Sequence, residues 1–298
     1  MCDPIDEKGI RILRDEGLIV DVKPRITPEE LLREVERYQG LIVRGRTKVT
    51  KEVIDRGRTL RVIVRAGAGL DNIDVEYASE RDIKVINTPE ALSNAVAELT
   101  IGLMIALGRG ICRGHEALKR GEWVKGKLIG RELKGKTIGI VGMGKIGRHV
   151  ADKALGLGMK VSAYDVIPLS QEYKDKGVRE VEHIDEVFAD SDYITLHVPL
   201  MEETHHMVDE KLLRKMKSSA FLINASRGAV IDTEALIRAL RGGWIAGAAL
   251  DVFEVEPPIG SELLKFENVV ATPHIGGQSV EAQREASITA AKKLIQAL

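Results

Sequence analysis

The sequence predicts an α/β protein with parallel sheets, organised as two domains. Short apolar runs rich in β-branched residues alternate with helical patterns along nearly the whole chain, which is typical of βαβ units. The chain has 298 residues, more than one typical hydrophobic core contains, so two domains are expected. A glycine-rich segment at residues 142–147 lies between a predicted strand and a predicted helix. It belongs to the second of two such alternating series.

The first series occupies the N-terminal third of the chain. Thr27 and Glu30 form a capping-box pattern with Pro28 at the first helical position, which predicts a helix to about Tyr38. A second helix is predicted from Thr50. Strands are predicted at the short apolar runs 41–43, 62–64 and 83–86. The pattern indicates an α/β unit with a parallel sheet.

The second series follows a long apolar helix that is predicted from about Ser93. Strands are predicted at 137–141, 159–164, 193–197, 220–224, 245–251 and 269–273. The amphipathic segment 280–298 has no strand after it, so we expect this helix to return and pack on the first domain. The predicted division is one domain of residues 1–92 and 278–298, interrupted by a second domain of residues 93–277.

The glycine-rich segment has the spacing of a dinucleotide-binding loop. Gly142, Gly144 and Gly147 follow a predicted strand and open a helix, which allows close approach of a pyrophosphate to a helix N-terminus. Asp165 ends the next strand, 18 residues beyond Gly147, where an acid accepts hydrogen bonds from an adenosine ribose. No basic residue follows it closely, so NAD is predicted over NADP. The predicted loop residues are Gly142, Gly144, Lys145, Ile146 and Gly147.

Three residues in the second half of the chain suit hydride transfer next to a carboxylate. Arg227 follows a predicted strand, Glu256 precedes Pro257, and His274 lies in a glycine-flanked turn. A cation can hold the carboxylate, an imidazole can exchange the proton, and a second carboxylate can stabilise the imidazolium. Glu254 is an alternative to Glu256. The set predicts a dehydrogenase.

The composition excludes several other classes of function. The formal net charge is −1, which gives no electrostatic footprint for nucleic acid or an anionic membrane. The apolar stretch 99–107 is short for a membrane span and predicts a buried helix. Cys2 and Cys112 are the only cysteines, which indicates a reducing, cytoplasmic setting.

Other single residues are expected to be structural. Cys112 is expected to be buried at a helix end, and Trp123 to be a packing residue. His205 and His206 are adjacent in sequence, so their side chains are expected to point apart. No metal site is predicted.

The ordered motifs resemble those of the D-isomer-specific 2-hydroxyacid dehydrogenases. They are GMGKIG with Asp165, HVPL at 197–200, NASRGAVID, ALDVFEVEPP and TPHIGG. The resemblance implies a Rossmann-type nucleotide domain inserted in a flavodoxin-like substrate domain, with the active site in the cleft between them. It also implies a homodimer, or a higher homo-oligomer, built largely on the nucleotide domain and the helix near Glu98. His197, Val198 and Pro199 are expected at the cofactor wall, and Asp251 either contacts the nicotinamide carboxamide or ends a strand.

The N-terminal half is most similar to members of that family that oxidise 3-phosphoglycerate in serine biosynthesis. Arg44 and Arg65 match arginines that bind the substrate phosphate, and the backbone at Ala68 and Gly69 matches the part that holds the carboxylate. Glyoxylate or hydroxypyruvate reduction on the same scaffold is the alternative, followed by a non-catalytic NAD-sensing protein. The usual first strand is almost absent, and the sequence ends 24 residues after His274, so no regulatory domain is expected.

Overall fold

All ten strands lie in two parallel sheets, and the computed structural model of the protein describes residues 1–298. One unit comprises Met1–Ala95 and Gly277–Leu298, and the other comprises Val96–Gly276. Helices separate most of the parallel strands in sequence, as crossover connections require. The predicted α/β fold class is confirmed.

The first unit contains a three-stranded sheet with the strands in sequential order. Parallel pairing aligns the last residues of the strands, Val43, Arg65 and Asn87. Side chains and loops that follow these residues therefore meet at one edge of the sheet. The elements are α1 Glu7–Asp15, α2 Pro28–Glu34, β1 Gly40–Val43, α3 Lys51–Arg56, β2 Val62–Arg65, α4 Val75–Ser79 and β3 Lys84–Asn87.

The helix starts in this unit follow the capping chemistry of the sequence. Thr27 Oγ1 accepts from Glu30 N at 3.2 Å, and a Glu30 carboxylate oxygen accepts from Thr27 N at 2.9 Å, so the predicted capping box is formed. The α-helix ends at Glu34 and continues as one 3-10 turn, Val35–Arg37. Thr50 is the N-cap of α3, as predicted.

The final helix, α12 Val280–Ala297, packs within the first unit. Small side chains on one face let it lie close to the sheet, and they share a core with strand residues such as Ile42 and Val64. The approach to α1 is tighter still, because a Cβ on Gly9 would lie 2.2 Å from Ser287 Oγ. The small α12 residues in this core are Ala286, Ala290 and Ala291.

The second unit is built on a seven-stranded parallel sheet with the order β10-β9-β8-β7-β4-β5-β6. The strand order reverses between β4 and β7, and ligands of open parallel sheets bind beyond the carboxyl ends of strands at such a point. The strands are β4 Thr137–Val141, β5 Lys160–Tyr164, β6 Arg179–Glu180, β7 Tyr193–Leu196, β8 Phe221–Asn224, β9 Gly247–Leu250 and β10 Val269–Ala271. The helices of this unit from residue 111 onwards are α6 Ile111–Lys119, α7 Lys145–Gly156, α8 Gln171–Asp175, α9 Ile184–Asp190, α10 Glu210–Lys215 and α11 Thr233–Arg241.

The long apolar helix α5, Pro89–Arg109, begins before the predicted start at Ser93. It is the one helix whose length and composition would allow it to cross a membrane, and half of its most apolar window is buried in the protein. Its residues Ala97, Leu103 and Met104 are buried in the core that also covers β4 and α7. The helix therefore contributes to the core of the fold.

Two residues expected in the interior lie at the surface instead. Cys112 is exposed in the first turn of α6, and Trp123 is 81% exposed after the end of that helix. Ile111, Leu118 and Ile129 are also exposed in this segment. Both expectations were wrong because residue type alone does not reveal an apolar surface segment.

Candidate functional site

The glycine loop after β4 is shaped by two close backbone approaches. Gly142 has φ +97°, and a Cβ there would lie 2.6 Å from the carbonyl oxygen of His197. A Cβ on Gly147 would lie 2.0 Å from the carbonyl oxygen of Gly142. By contrast, no heavy atom lies within 4 Å of a Cβ on Gly144, the N-cap of α7. The N-terminus of α7, beginning at Lys145 and Ile146, thus faces open space of the kind a diphosphate needs.

Asp165 lies beside this loop, directly after β5. Its carboxylate accepts hydrogen bonds from Met143 N at 2.6 Å and from Ile167 N at 3.0 Å. These two bonds fix the orientation of the half-buried side chain. Since an ionised carboxylate has about four lone-pair sites, acceptor capacity remains for the hydroxyls of a ribose.

His197 follows β7 and contacts the glycine loop through its backbone, with Val198 and Pro199 next in sequence. Its backbone N donates to Val141 O at 2.8 Å, and its ring Nε2 lies 2.9 Å from Thr195 Oγ1. The ring Nδ1 is buried, and burial lowers the pKa of His197 to about 3. The ring is therefore neutral near pH 7 and cannot donate an imidazolium proton there.

This buried imidazole predicts a loss of stability in acid. The pKa of His197 is about 3 in the folded protein, whereas the ordinary value for histidine is 6.5. Between these two pH values the ring is protonated in the unfolded chain but not in the folded protein. As the pH falls below 6.5, the free energy of unfolding should therefore fall by up to about 1.4 kcal/mol per pH unit from this group. Denaturant unfolding of His197→Gln between pH 7 and pH 5 should show a shallower pH dependence than wild type. Equal slopes would show that the ring is protonated in the folded protein.

Arg227 is presented by a tight turn that follows β8. The buried side chain of Asn224 organises the turn: its Oδ1 accepts from Ser226 N at 3.0 Å and from Ser226 Oγ at 2.8 Å, and its Nδ2 donates to Arg227 O at 2.9 Å. The guanidinium Nη1 of Arg227 donates to Ser226 O at 2.7 Å. The sequence alone did not identify Asn224, although an amide at the end of a buried strand, just before a turn, is a usable signal.

The next residue, Gly228, brings this turn against a second loop. A Cβ on Gly228 would lie 1.9 Å from the carbonyl carbon of Phe253, so only glycine fits without moving the backbone. The loop it touches continues through Glu254 to Glu256. The arginine turn and the acidic loop are therefore in direct backbone contact.

Glu256 and His274 are joined by a side-chain hydrogen bond in the structure. His274 Nδ1 lies 2.8 Å from one carboxylate oxygen of Glu256, while the other oxygen accepts from Phe253 N at 3.1 Å. The side chains are 48% and 38% exposed for His274 and Glu256, respectively. Because Nδ1 is engaged by the carboxylate, Nε2 is the ring atom that can exchange a proton with a bound molecule. The sequence alone left Glu254 as an alternative to Glu256. In the structure, the carboxylate of Glu254 forms its hydrogen bonds with other residues and not with His274.

Asp251 holds the backbone on which His274 lies. This carboxylate is 1% exposed, and it accepts from Thr272 Oγ1 at 2.6 Å, Ile275 N at 2.8 Å and Gly276 N at 2.8 Å. His274 N donates to Asp251 O at 2.8 Å, and His274 adopts φ +53°. These bonds explain how a non-glycine residue is kept in a left-handed conformation. A contact of Asp251 with the nicotinamide stays a prediction.

Glu254 bonds to His206 and Thr233. One carboxylate oxygen lies 2.8 Å from His206 Nε2, and the other accepts from Thr233 Oγ1 at 2.6 Å. The rings of His205 and His206 stack with their centroids 4.0 Å apart. The expectation that these neighbouring side chains point apart was therefore wrong, because His206 has φ +52° instead of an extended conformation.

Arg44 and Arg65 both lie at the carboxyl edge of the first unit's sheet. Arg44 directly follows β1 and donates from Nη1 to Pro4 O at 3.3 Å. Burial lowers the pKa of Arg44, and the charge of Asp3 opposes that shift. Arg65 ends β2, donates to Gly69 O, and places Nη2 3.7 Å from a Cβ position on Gly45, the residue after Arg44. The two arginines thus occupy adjacent positions.

Ala68 and Gly69 lie in the loop that follows β2 and Arg65. Asn87 Nδ2 donates to Ala68 O at 2.5 Å, and the loop is further held by Gly67 N donating to Thr88 Oγ1 at 3.0 Å. Both Ala68 and Gly69 are partly exposed. The carbonyl of Gly69 accepts from the Arg65 guanidinium, so the backbone of this loop lies beside a cationic group, an arrangement suited to an anion.

Comparisons with known proteins agree with these features. A sequence model of the D-isomer specific 2-hydroxyacid dehydrogenase, NAD binding domain, matches residues 101–276. The hydroxypyruvate reductase of Thermotoga maritima is 44% identical over 299 aligned positions, covering 99% of this chain and 96% of that protein. The D-3-phosphoglycerate dehydrogenase of Methanocaldococcus jannaschii is 44% identical over 99% of this chain, which spans only 56% of that protein.

A solved structure supports the same assignment at the level of the fold. The TT0316 protein of Thermus thermophilus superposes with a TM-score of 0.90 and 37% sequence identity, covering 99% of this chain and 94% of that one. The predicted family resemblance and the predicted cofactor are confirmed. The chain belongs to the D-isomer-specific 2-hydroxyacid dehydrogenases and is an NAD-dependent member of that family.

Proposed function

We propose that this enzyme oxidises D-3-phosphoglycerate to 3-phosphohydroxypyruvate, the first step of serine biosynthesis. The observation that carries the choice of a phosphorylated substrate is the adjacent placement of Arg44 and Arg65 at one sheet edge. A guanidinium suits a phosphate because its planar donors match the oxygen geometry. The phosphoglycerate dehydrogenases among the relatives support the same choice.

We propose catalytic roles for three residues of the second unit. His274 Nε2 removes the proton from the substrate hydroxyl, while Glu256, 2.8 Å from Nδ1, stabilises the resulting imidazolium. Arg227 holds the substrate carboxylate and polarises the oxygen on the reacting carbon. When bound, NAD supplies the carbon that accepts the hydride from C2. The residues proposed to hold it are those of the glycine loop, with Asp165, His197, Val198, Pro199 and Asp251.

The proposed role of the first unit is to bind the two anionic ends of the substrate. Arg44 and Arg65 bind the phosphate, and the backbone at Ala68 and Gly69 binds the carboxylate. Arg44 gains from such a partner because its half-buried charge is poorly solvated, as the lowered pKa of this group indicates.

Hydroxypyruvate reduction is the second candidate, favoured by the reductase that this chain matches over nearly its whole length. The test is a comparison of kcat/KM for 3-phosphohydroxypyruvate, hydroxypyruvate and glyoxylate, each with NADH. We expect kcat/KM for 3-phosphohydroxypyruvate to exceed the other two values by at least about tenfold, because one charge-assisted contact contributes about that factor. A preference for hydroxypyruvate would replace the proposed substrate. No turnover of any of them would favour an NAD-sensing protein.

The cofactor site predicts a clear preference for NADH over NADPH. The carboxylate of Asp165, oriented by Met143 N and Ile167 N, would repel a 2′-phosphate. In Asp165→Asn the repulsion is absent while the amide oxygen can still accept a hydrogen bond, so the NADH to NADPH ratio of kcat/KM should fall by about tenfold or more. Equal ratios in the two proteins would mean that Asp165 does not face the ribose.

We also propose that the enzyme is a cytoplasmic homodimer. The segment from Ile111 to Ile129 exposes several large apolar side chains, with Trp123 at 81% exposure, and side chains of this kind are often covered by a second subunit. Light scattering should give twice the mass of one chain, and Ile129→Asp should give a monomer. A monomeric wild-type protein would contradict this proposal.

A further inference from the structure

We propose that His205, His206 and Glu254 form a binding site for a divalent transition-metal ion of the zinc type. A ring nitrogen from each histidine and a carboxylate oxygen of Glu254 all lie within 4.8 Å of one another. The three residues are outside the Glu256–His274 pair. The proposal therefore does not depend on the proposed substrate.

The backbone brings two consecutive imidazoles to the same side of the chain. Consecutive side chains of an extended segment point to opposite faces, but His206 adopts φ +52° and reverses this relation. The rings stack with an interplanar angle of 25°. Backbone bonds from His206 N to Ala229 O at 2.8 Å and from His205 N to Met201 O at 2.9 Å hold the turn. Such an outlier, fixed by its surroundings, is a feature of functional sites.

The third ligand is already oriented towards the histidines. Thr233 Oγ1 donates to one oxygen of Glu254, which leaves the other oxygen 2.8 Å from His206 Nε2. A hydrogen bond from a second group to a ligating carboxylate is the usual support of a metal site. Thr233 therefore acts as a positioning residue for Glu254.

The types of ligand atom at this site determine which class of metal ion it can bind. Two imidazole nitrogens with one carboxylate oxygen suit Zn²⁺ and its neighbours, whereas Mg²⁺ and Ca²⁺ prefer oxygen ligands throughout. Tetrahedral zinc places its ligand atoms about 3.3 Å apart, so the exposed ring of His205 must rotate towards its partners. Three protein ligands leave a position for water, and His206 and Glu254 border a cavity of about 500 Å³.

Equilibrium dialysis of the 298-residue protein against zinc chloride tests the site. His205→Ala is the main variant, since the exposed ring makes no hydrogen bond that the fold needs. We expect it to weaken zinc binding by at least about tenfold, the least effect typical of disturbing a metal site. His115→Ala, which removes an exposed histidine from α6, should leave the affinity unchanged.

Two further variants make the outcome decisive. Glu254→Gln should weaken zinc binding as His205→Ala does, whereas His274→Asn should retain it, because His274 is paired with Glu256. Unchanged affinity in His205→Ala, or loss of binding in His274→Asn, would overturn the proposal. Since zinc binding is measured without substrate, failure here is distinguishable from failure of the proposed activity.

Discussion

Replacing His274 by asparagine is expected to lower kcat for 3-phosphohydroxypyruvate reduction by about 10²-fold or more, with NADH affinity nearly unchanged. The reason is that Nδ1 of His274 is engaged by Glu256 at 2.8 Å, which leaves Nε2 for proton exchange. His197, whose backbone contacts the glycine loop, cannot substitute because burial lowers its pKa to about 3. Steady-state kinetics and NADH titration provide the measurement.

The neighbouring acids supply the control for this experiment. Glu256→Gln should also lower kcat, but less than His274→Asn, because the amide keeps a hydrogen bond while losing the charge that stabilises the imidazolium. Glu254→Gln should have a smaller effect than Glu256→Gln, since Glu254 pairs with His206. Near-normal turnover in His274→Asn would remove the proposed mechanism, and a larger loss at Glu254 would reassign the acid.

Replacing Arg44 or Arg65 by alanine is expected to lower kcat/KM for 3-phosphohydroxypyruvate about ten- to hundredfold. Each change removes a charge-assisted contact worth roughly 1.5 to 3 kcal/mol, made away from the reacting carbon. Glyoxylate has no phosphate, so its kcat/KM should change much less. Measuring both substrates on one variant makes the comparison internal to a single protein.

The strand that carries Arg65 also offers a matched control. Arg61 lies just before β2 and Arg65 ends it, so the two arginines are at opposite ends of one strand. Arg61→Ala should leave both substrates unaffected. If Arg44→Ala and Arg65→Ala reduce turnover of both substrates equally, the arginines serve the fold or the carboxylate, and the phosphorylated substrate loses its main support.

The fold was largely predictable because local signals and burial agree along this chain. The runs of β-branched residues form buried strands in the structure, such as Val62–Arg65 and Tyr193–Leu196. A helix begins at the capping box of Thr27. The ends of helices and strands were less predictable. The helix after Thr27, for example, ends in a 3-10 turn that the sequence pattern does not distinguish from α-helix. The two-residue strand Arg179–Glu180 is exposed and polar, so it carries no apolar pattern from which it could be recognised.

The candidate site was predictable where residue type determines chemistry and less so where backbone conformation decides. The ordered motifs led to the prediction of Arg227, Glu256 and His274 as site residues, but spacing alone could not separate Glu256 from Glu254. The buried carboxylate of Asp251 bonds three donors in the loop of His274. Such a role depends on loop geometry that one sequence does not reveal. The stacking of His205 and His206 depends likewise on one positive φ angle.

Hydride transfer from C2 of D-3-phosphoglycerate to NAD can be followed by the transfer of an isotope. The enzyme is incubated with NAD and D-3-phosphoglycerate deuterated at C2, with hydrazine present to trap the ketone, and the reduced cofactor is analysed by mass spectrometry. We expect one deuterium in each NADH formed and an equal amount of trapped 3-phosphohydroxypyruvate. Unlabelled NADH, or turnover of deuterated D-glycerate but not of its phosphorylated form, would contradict it.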